Sequence, residues 1–454
     1  MSTHAKAAAK FIADRKRTAW HDNALFFVRE KRDKMAKSVP EWEELREAAS
    51  QMKRHTLSRL ADYLEEFERN AVANGMIVHW AEDAEELNRT VYGIIEKHGG
   101  KNLVKSKSML AEECGLSPYL ESKGVDAVET DLGERIMQFM GTPPSHIVLP
   151  AIHVKREEVG KVFEEKIGTE KDNSDPTYLT HAARLHLREK FLNADISMTG
   201  VNFAVASEGS FVVCTNEGNA DMGTSFPDIH IAIMGMEKVV PDYEALGIYT
   251  RLLARSATGQ PITTYTSHYR KPAPGKEIHI VIVDNGRSDV IRNENHRNML
   301  KCLRCGACMN TCPVYRRTGG YSYSYFIPGP LGINLGMLKS PEKYSGNVSA
   351  CSLCHSCSNV CPAKIDLAEQ IYLWRQDLDS LHKADPMKKF MVKRMKWIMN
   401  RPSLFYAAVK SGKILKYFPR FLIYNKLNAW GKSREIPRFA PQSFNSMWKK
   451  GEVK

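Results

Sequence analysis

Eight of the ten cysteines in this 454-residue chain lie between Cys302 and Cys361. The segment "CSLCHSCSNVCP" (351–362) has two chemical readings. Cys351 to His355 match the C-x-x-C-H attachment site of a c-type haem, with the histidine as axial ligand. All twelve residues match C-x2-C-x2-C-x3-C-P, a run that holds iron–sulfur clusters. A second copy decides between them. "CLRCGACMNTCP" (302–313) repeats the spacing but has Gly306 where a haem site needs histidine. Haem would leave six cysteines unexplained, whereas iron–sulfur ligation accounts for all eight. Three thiolates at two-residue intervals can wrap three corners of a cubane while backbone amides point at its sulfides, and the fourth cysteine, ahead of proline, can ligate the other cluster. The expected sets are therefore Cys302, Cys305, Cys308 and Cys361 for one [4Fe–4S] cluster, and Cys351, Cys354, Cys357 and Cys312 for a second. Paired zinc sites are the alternative, but zinc favours two C-x2-C knuckles separated by a loop. His355 is expected to neighbour the second cluster or lie on the surface rather than to ligate.

The other two cysteines, Cys114 and Cys214, stand apart. Cys214 in "FVVCTNEG" reads as a small buried hydrophobe without a recognisable catalytic partner. No G-x-G-x-x-G follows a strand, and H-E-x-x-H does not occur. "GKS" at 431–433 resembles a phosphate loop, but Lys426 stands where that motif needs glycine. The chain thus carries electrons without an organic hydride acceptor of its own.

These cysteines must be positioned by the surrounding elements. The length implies several domains, and a composition of 43% hydrophobic and 26% charged residues is that of a globular protein. Residues 1–70 read as a charged helical region. "PEWEELREAASQMKRHTLSRLADYLEEFERNAVANG" opens on Pro and closes on Asn-Gly, with helix formers between. Residues 71–290 alternate helix-length segments with the apolar runs "MIVHW", "HIVLPAI", "NFAVA", "FVVC", "IHIAIMG" and "IHIVIVDNG", the pattern of buried strands in an α/β domain. Residues 291–380 hold the cysteines, followed by a helix whose Leu367, Ile371, Trp374, Leu378 and Leu381 share one face, as core packing requires. Residues 381–454 carry 18 Lys and Arg against 3 Asp and Glu, so most of the net charge of +13 is a basic tail. No run approaches the roughly 18 apolar residues of a membrane span, and the N-terminus lacks the apolar core of a secretory signal. A cytoplasmic protein is expected.

Several strings in the α/β segment closely resemble one family: "KSKSMLAEECGL" (105–116), "VETDLGERIMQ" (128–138), "PSHIVLPAIH" (144–153), "TGVNFAVASEGSFVVCTNEGN" (199–219) and "HIAIMGMEKVVP" (230–241). With twin ferredoxin motifs and a basic tail behind them, they resemble the lactate utilization protein B family. That resemblance implies an α/β domain of the sugar-phosphate isomerase and CoA-transferase type (a LUD domain) joined to an α-helical ferredoxin domain. It also implies an electron-transfer subunit in L-lactate oxidation to pyruvate. Two partners are implied, a cysteine-rich subunit with CCG motifs and a smaller LUD-domain subunit.

Candidate residues within the α/β domain follow from their chemistry. Lys105 or Lys107 could pair a substrate carboxylate. Glu208 in "ASEGS" could act as a base towards a hydroxyl. Asn216 and Glu217 in "CTNEGN" lie beside an expected strand end, where α/β sheets place their sites. Each has a bland counterpart: solvated lysines, a capped turn, a tight connection. Asp131 and Glu134 in "ETDLGE" read first as the cap of a following helix. The basic tail suits docking onto an acidic partner, or peripheral contact with the inner face of a membrane; no recognised motif supports specific nucleic-acid binding. Two rival functions are an electron-transfer subunit for another 2-hydroxy acid, such as glycolate, and a metal-stapled nucleic-acid-binding module.

Overall fold

The computed structural model describes residues 3–380, 386–412, 414, 417–425 and 440–453. Residues 1–380 make one compact unit and residues 381–454 another. Ten strands are found among the described residues: β1 (Ile77–Ala81), β2 (Asn102–Lys105), β3 (Asp126–Glu129), β4 (Ile196–Gly200), β5 (Phe203–Val205), β6 (Ser210–Thr215), β7 (Ile229–Gly235), β8 (Val239–Val240), β9 (Tyr265–Tyr269) and β10 (Glu277–Val283). Six form a fully parallel sheet in the order β1-β10-β7-β4-β2-β3. The central strands, "IHIAIMG" and "EIHIVIV", are buried along nearly their whole length, as continuous Ile and Val demand when both faces are covered. Asp83, Ser108, Asp131 and Asp242 cap the helices that follow strands or their loops, each side chain accepting a backbone N–H three residues on.

The remaining strands make a second sheet, β8-β5-β6-β9, built on the β5–β6 hairpin. The single sheet implied by the apolar runs is therefore two. "HIVLPAI" is a further departure from expectation: residues 146–152 form turns, not a strand. The Nδ1 atom of His146 accepts the N–H groups of both Val148 and Leu149 at 3.0 Å, which curls the chain. Ile147 is buried in the same core as Cys305 and Cys308, so this run is apolar because it faces the cysteine domain. Strands β2, β3 and β4 were hidden in the sequence by their shortness and by Asn102, Lys105, Asp126, Glu129, Ser197 and Thr199.

The N-terminal region folds into the helices Thr3–Ala13, Arg15–Lys37, Trp42–Ser58 and Leu60–Ala73. The long segment divides at Arg59, whose φ of −126° and ψ of 35° leave the helical region. In the cysteine domain the helix Leu367–Ser380 buries Leu367, Ile371, Trp374 and Leu378. Trp374 stacks on His296 with ring centroids 3.6 Å apart. Leu381, the last residue of that expected face, and "GKS" at 431–433 lie outside the described residues. In the second unit, the helices Pro386–Met399 and Pro402–Gly412 expose Phe390, Met391, Met395 and Trp397 among their basic residues. No described helix is long and apolar enough to cross a membrane.

The β5–β6 turn meets the N-terminal helices at one tight point. Gly209 has φ +56°, and a Cβ there would lie 2.2 Å from the Ala71 backbone nitrogen. Asn70 and Asn74 donate to Ala206 O and Glu208 O across the same contact, at 2.8 and 2.7 Å. Gly209→Ala combines a left-handed backbone with a backbone clash and is expected to cost about 2 kcal/mol or more. A thermal unfolding midpoint unchanged from wild type would contradict this.

Candidate functional site

The two cysteine runs fold alike. In the first, Arg304 (φ 60°) and Gly306 (φ 76°) are left-handed; in the second, Leu353 (φ 54°) and His355 (φ 57°) occupy the corresponding places. These bends turn backbone amides towards sulfur. Arg304 N–H lies 3.4 Å from Cys302 Sγ, and Leu353 N–H 3.3 Å from Cys351 Sγ. At the fourth positions, Tyr315 N–H approaches Cys312 Sγ at 3.5 Å and Ile365 N–H approaches Cys361 Sγ at 3.3 Å. Such N–H···S contacts stabilise thiolate charge and suit a cluster. The charge of Cys361 acts on Cys305 and on Cys308, which also feels Cys357, and the charges of Cys351 and Cys354 act on Cys312, so the two groups lie close together. Burial pushes the free thiols of Cys305 and Cys357 up to about 12, so metal is the natural partner that would take them as thiolates. His355 is half exposed, 3.4 Å from the Asp366 carboxylate.

The two groups differ in burial. Cys305, Cys308 and Cys361 are buried and Cys302 partly so, whereas Cys354 is exposed. Around the first group the N-terminal helices supply cations. Arg46 donates to Cys361 O at 2.8 and 3.0 Å and Arg32 to Val360 O at 3.1 Å; a third cation, Lys301, comes from the segment just before Cys302 and donates to Ser50 Oγ on the helix Trp42–Ser58 at 3.0 Å.

A cavity of about 300 Å³ opens at the carboxyl ends of the parallel strands, where α/β sheets bind ligands. Ser106, Lys107 and Ser108 follow β2, Asp131 follows β3, Asn202 follows β4, and Glu237 and Lys238 follow β7. Its wall is completed by Ile147, Val148 and Leu149 of the turn segment, and by Arg304 and Cys305 of the first cysteine run. The cavity therefore shares a wall with the buried thiol group. Across it runs a buried ion-pair network. The Nε atom of Arg287 donates to Glu237 at 2.6 Å, and both of its terminal nitrogens donate to Glu113 at 3.0 Å. Burial works against the Glu237 carboxylate, but Arg287, Lys238 and Arg304 together hold it down at about 2. Lys238 has no hydrogen-bond or ion-pair partner among the described residues, and Arg304 Nη1 is buried without one. Lys238 is thus unpaired among the described residues and faces the cavity, and Arg304, whose Nη2 lies 3.9 Å from Glu237, keeps its buried Nη1 unpartnered beside the first thiol group.

The structure sorts the candidate residues. Lys107 lines the cavity, donates to Val148 O at 3.1 Å, and lies 3.7 Å from the Glu134 carboxyl. Asn216 and Glu217 are exposed at the cavity rim: Asn216 bridges Gln260 and Thr264, and the Glu217 carboxylate accepts Leu132 N–H at 3.3 Å. Lys105 and Glu208 are corrected. Lys105 points under the sheet's end into a buried ion pair with Glu129, also 3.8 Å from Glu112, so its charge is spent within the fold. Glu208 sits on the turn before Gly209, paired with Arg270 at 3.2 Å, and does not line the cavity. Asp131 caps the helix Leu132–Met140 through Glu134 N–H and also lines the cavity. Sequence reasoning missed Lys238, Arg287 and Arg304. For Lys238 a signal existed, since "GMEKVVP" follows the strongest strand of the chain; nothing in the sequence tied Arg287 or Arg304 to that strand end. Cys214 lines the cavity with its thiol raised to about 11 by burial, and Cys114 is buried.

Removing Arg287 would strand two buried carboxylates. Arg287→Met is expected to cost about 3–5 kcal/mol, whereas Glu208→Gln, which breaks a largely solvated pair, should cost under about 1 kcal/mol. Thermal unfolding of the two variants side by side checks the order, and an equal effect would refute it.

Comparisons with known proteins agree with this architecture. Residues 64–291 match the LUD domain and residues 298–365 the 4Fe-4S dicluster domain. The chain is 38% identical to lactate utilization protein B of Macrococcus caseolyticus, over 94% of this chain and 92% of that one. It is 41% identical to lactate utilization protein B of Geobacillus thermodenitrificans, over 87% and 86% respectively. The uncharacterized electron transport protein YkgF of Escherichia coli K12 is 37% identical over 93% and 91%. The chain belongs to the lactate utilization protein B family, in which a LUD domain precedes a 4Fe-4S dicluster domain.

Proposed function

We propose that this protein is an iron–sulfur electron-transfer subunit in lactate utilization, serving a complex that oxidises L-lactate to pyruvate. The observation that carries the reading is the shared wall: Cys305 and Arg304 belong both to the first cysteine run and to the lining of the LUD cavity. Loss of two protons, one from the hydroxyl and one from Cα, each taken by a base at the cavity, together with two electrons converts lactate to pyruvate, so a substrate pocket must abut an electron acceptor. Two [4Fe–4S] clusters, held by Cys302, Cys305, Cys308 and Cys361 and by Cys312, Cys351, Cys354 and Cys357, would each carry one electron away. Lys238 and Lys107 supply charge for the substrate carboxylate, and Arg304 adds a guanidinium beside Cys305. Glu217 and Asp131 are the cavity carboxylates available to take the hydroxyl proton. Electrons leave at the second group, where Cys354 is exposed. The acceptor there is a partner subunit: the cysteine-rich CCG-motif protein, with the smaller LUD-domain protein completing the complex. Exposed aromatic and methionine side chains among the lysines of the basic tail suit docking onto such a partner.

Anaerobically purified protein, alone and with both partner subunits, is the test. L-lactate should bleach the iron–sulfur absorbance at least in the full complex, and Lys238→Gln should weaken lactate binding about tenfold. Bleaching by a strong chemical reductant with no lactate response in the complex would remove the lactate reading. Binding should also depend on pH. Burial, opposed in part by Lys107, pushes the Glu134 carboxyl up to about 8. Below that pH Glu134 is neutral and leaves the Lys107 charge for an anion. Above it Glu134 ionises and competes, so lactate affinity should fall several-fold between pH 7 and 9, and less steeply in Glu134→Gln. Titration calorimetry at the two pH values measures this.

The crossed ligand sets have their own check. Cys361→Ser and Cys305→Ser should delete one reduced-state electron paramagnetic resonance signal, and Cys312→Ser and Cys354→Ser the other. If Cys361→Ser matches Cys354→Ser instead, each run holds its own cluster.

A further inference from the structure

At the opposite end of the parallel sheet, away from the cavity, three imidazoles and a carboxylate converge. His279 and Glu277 lie two residues apart on β10, so their side chains leave the same face. His79 lies on the neighbouring β1, and its ring stacks on that of His279 with centroids 5.3 Å apart. His98 ends the helix Ala84–Lys97, whose Leu87, Val91, Ile94 and Ile95 pack on this face against Val281 and Val283. The packing of that helix delivers His98 over the start of β10.

The donor atoms form a compact triangle. Glu277 Oε2 is 3.1 Å from His279 Nε2 and 3.5 Å from His98 Nε2, and the three atoms lie within 4.8 Å of one another. A tetrahedral zinc ion with bonds of about 2.0–2.2 Å holds its donors about 3.3 Å apart. The observed edges bracket that spacing. The outer partner is also in place: His279 Nδ1 is 3.0 Å from His79 Nε2. His279 Nε2 is hydrogen-bonded to Glu277 at 3.1 Å; with a cation bound instead, His279 would donate from Nδ1 to His79 and turn its Nε2 lone pair into the triangle, the arrangement by which a second imidazole orients a metal-binding one. His98 Nε2 is buried and has no hydrogen-bond partner among the described residues.

We propose that His98, Glu277 and His279 form a binding site for a zinc-class divalent cation, with His79 positioning His279 and one coordination position left for water. Two imidazoles and one carboxylate favour zinc and its transition-metal neighbours over magnesium or calcium, which take oxygen ligands. The cysteine runs contribute no atom to it, so this site is independent of the clusters and of the lactate reading.

The test uses the full chain with its iron–sulfur content intact, handled without oxygen. Equilibrium dialysis against Zn²⁺, with metal analysis, should find one zinc per chain beyond the iron. X-ray absorption at the zinc edge should show nitrogen and oxygen neighbours and no sulfur. His98→Gln and Glu277→Gln, both on partly exposed side chains, should each abolish the zinc while leaving iron, sulfide and the circular dichroism spectrum unchanged. His79→Gln should weaken zinc at least about tenfold. Failure of the wild-type protein to retain zinc overturns the proposal. Zinc retained equally by Glu277→Gln, or a sulfur shell showing zinc in the cysteine sites, overturns it too.

Discussion

Four thiolates gathered in a protein interior need compensation for their charge, and much of this fold can be traced to that constraint. Around Cys302, Cys305, Cys308 and Cys361, backbone amides turn inward through left-handed residues, and cations close the shell. Those cations come from far along the sequence. Arg32 and Arg46 are on N-terminal helices and bind the carbonyls of Val360 and Cys361. Lys53, on the same helix as Arg46, is fully enclosed and donates to Glu237 O at 2.5 Å and Val239 O at 3.2 Å. One helix thereby touches both the cysteine domain and the strand end that carries Lys238. The three sequence regions before residue 381 form one unit because the same buried charge recruits them all.

The shared wall between cavity and thiol group depends on a second buried contact. Burial depresses His146 to about 3 and keeps its ring neutral. Its Nε2–H donates to Asn310 Oδ1 at 3.0 Å, while its Nδ1 holds the turn at Val148 and Leu149. Gly306 lies against it, with space for a Cβ only 3.1 Å from the ring. Glycine in the first run, where the second has His355, thus serves two needs: the left-handed bend that the cysteine spacing demands and close approach of the LUD domain. His355, with no such neighbour, keeps its side chain in solvent. The repeat is symmetrical in its ligands and asymmetrical in its environment, which distinguishes a buried inner group from an outer one.

The sequence made legible whatever depends on local spacing. Cysteine intervals, the capped helices, the Ile- and Val-rich central strands and the buried face from Leu367 to Leu378 all follow from short-range rules. Contacts across many residues were illegible. "HIVLPAI" has a strand's composition because it is buried, but its partner is the cysteine domain, not a strand, and no local rule separates those causes. Lys105 and Lys107 are two residues apart on the same extended stretch, yet one is consumed by Glu129 and the other reaches the cavity. Glu208 and Glu217 flank the same strand, β6, at opposite ends, and only the end that joins the carboxyl edge of the large sheet meets the cavity. Proximity to a strand end leads to both residues, and which end meets the cavity is set by topology.

That topology also separates two kinds of chemistry along one sheet. At the carboxyl edge, loops splay apart and leave room, so Lys107, Lys238 and Arg304 can face a cavity without satisfying one another. At the amino edge, β1 and β10 run close in register, and His79, Glu277 and His279 are pressed together with little space between them. A cavity where Lys238 is unpaired among the described residues and Lys107 and Arg304 are only loosely paired suits an organic anion that brings its own charge and volume. A dense triangle of imidazole and carboxylate donors suits an ion of small radius, which needs no cavity beyond the gap between its ligands. The parallel arrangement makes both possible at once, because every strand points the same way and the two edges therefore differ in loop geometry rather than repeating it.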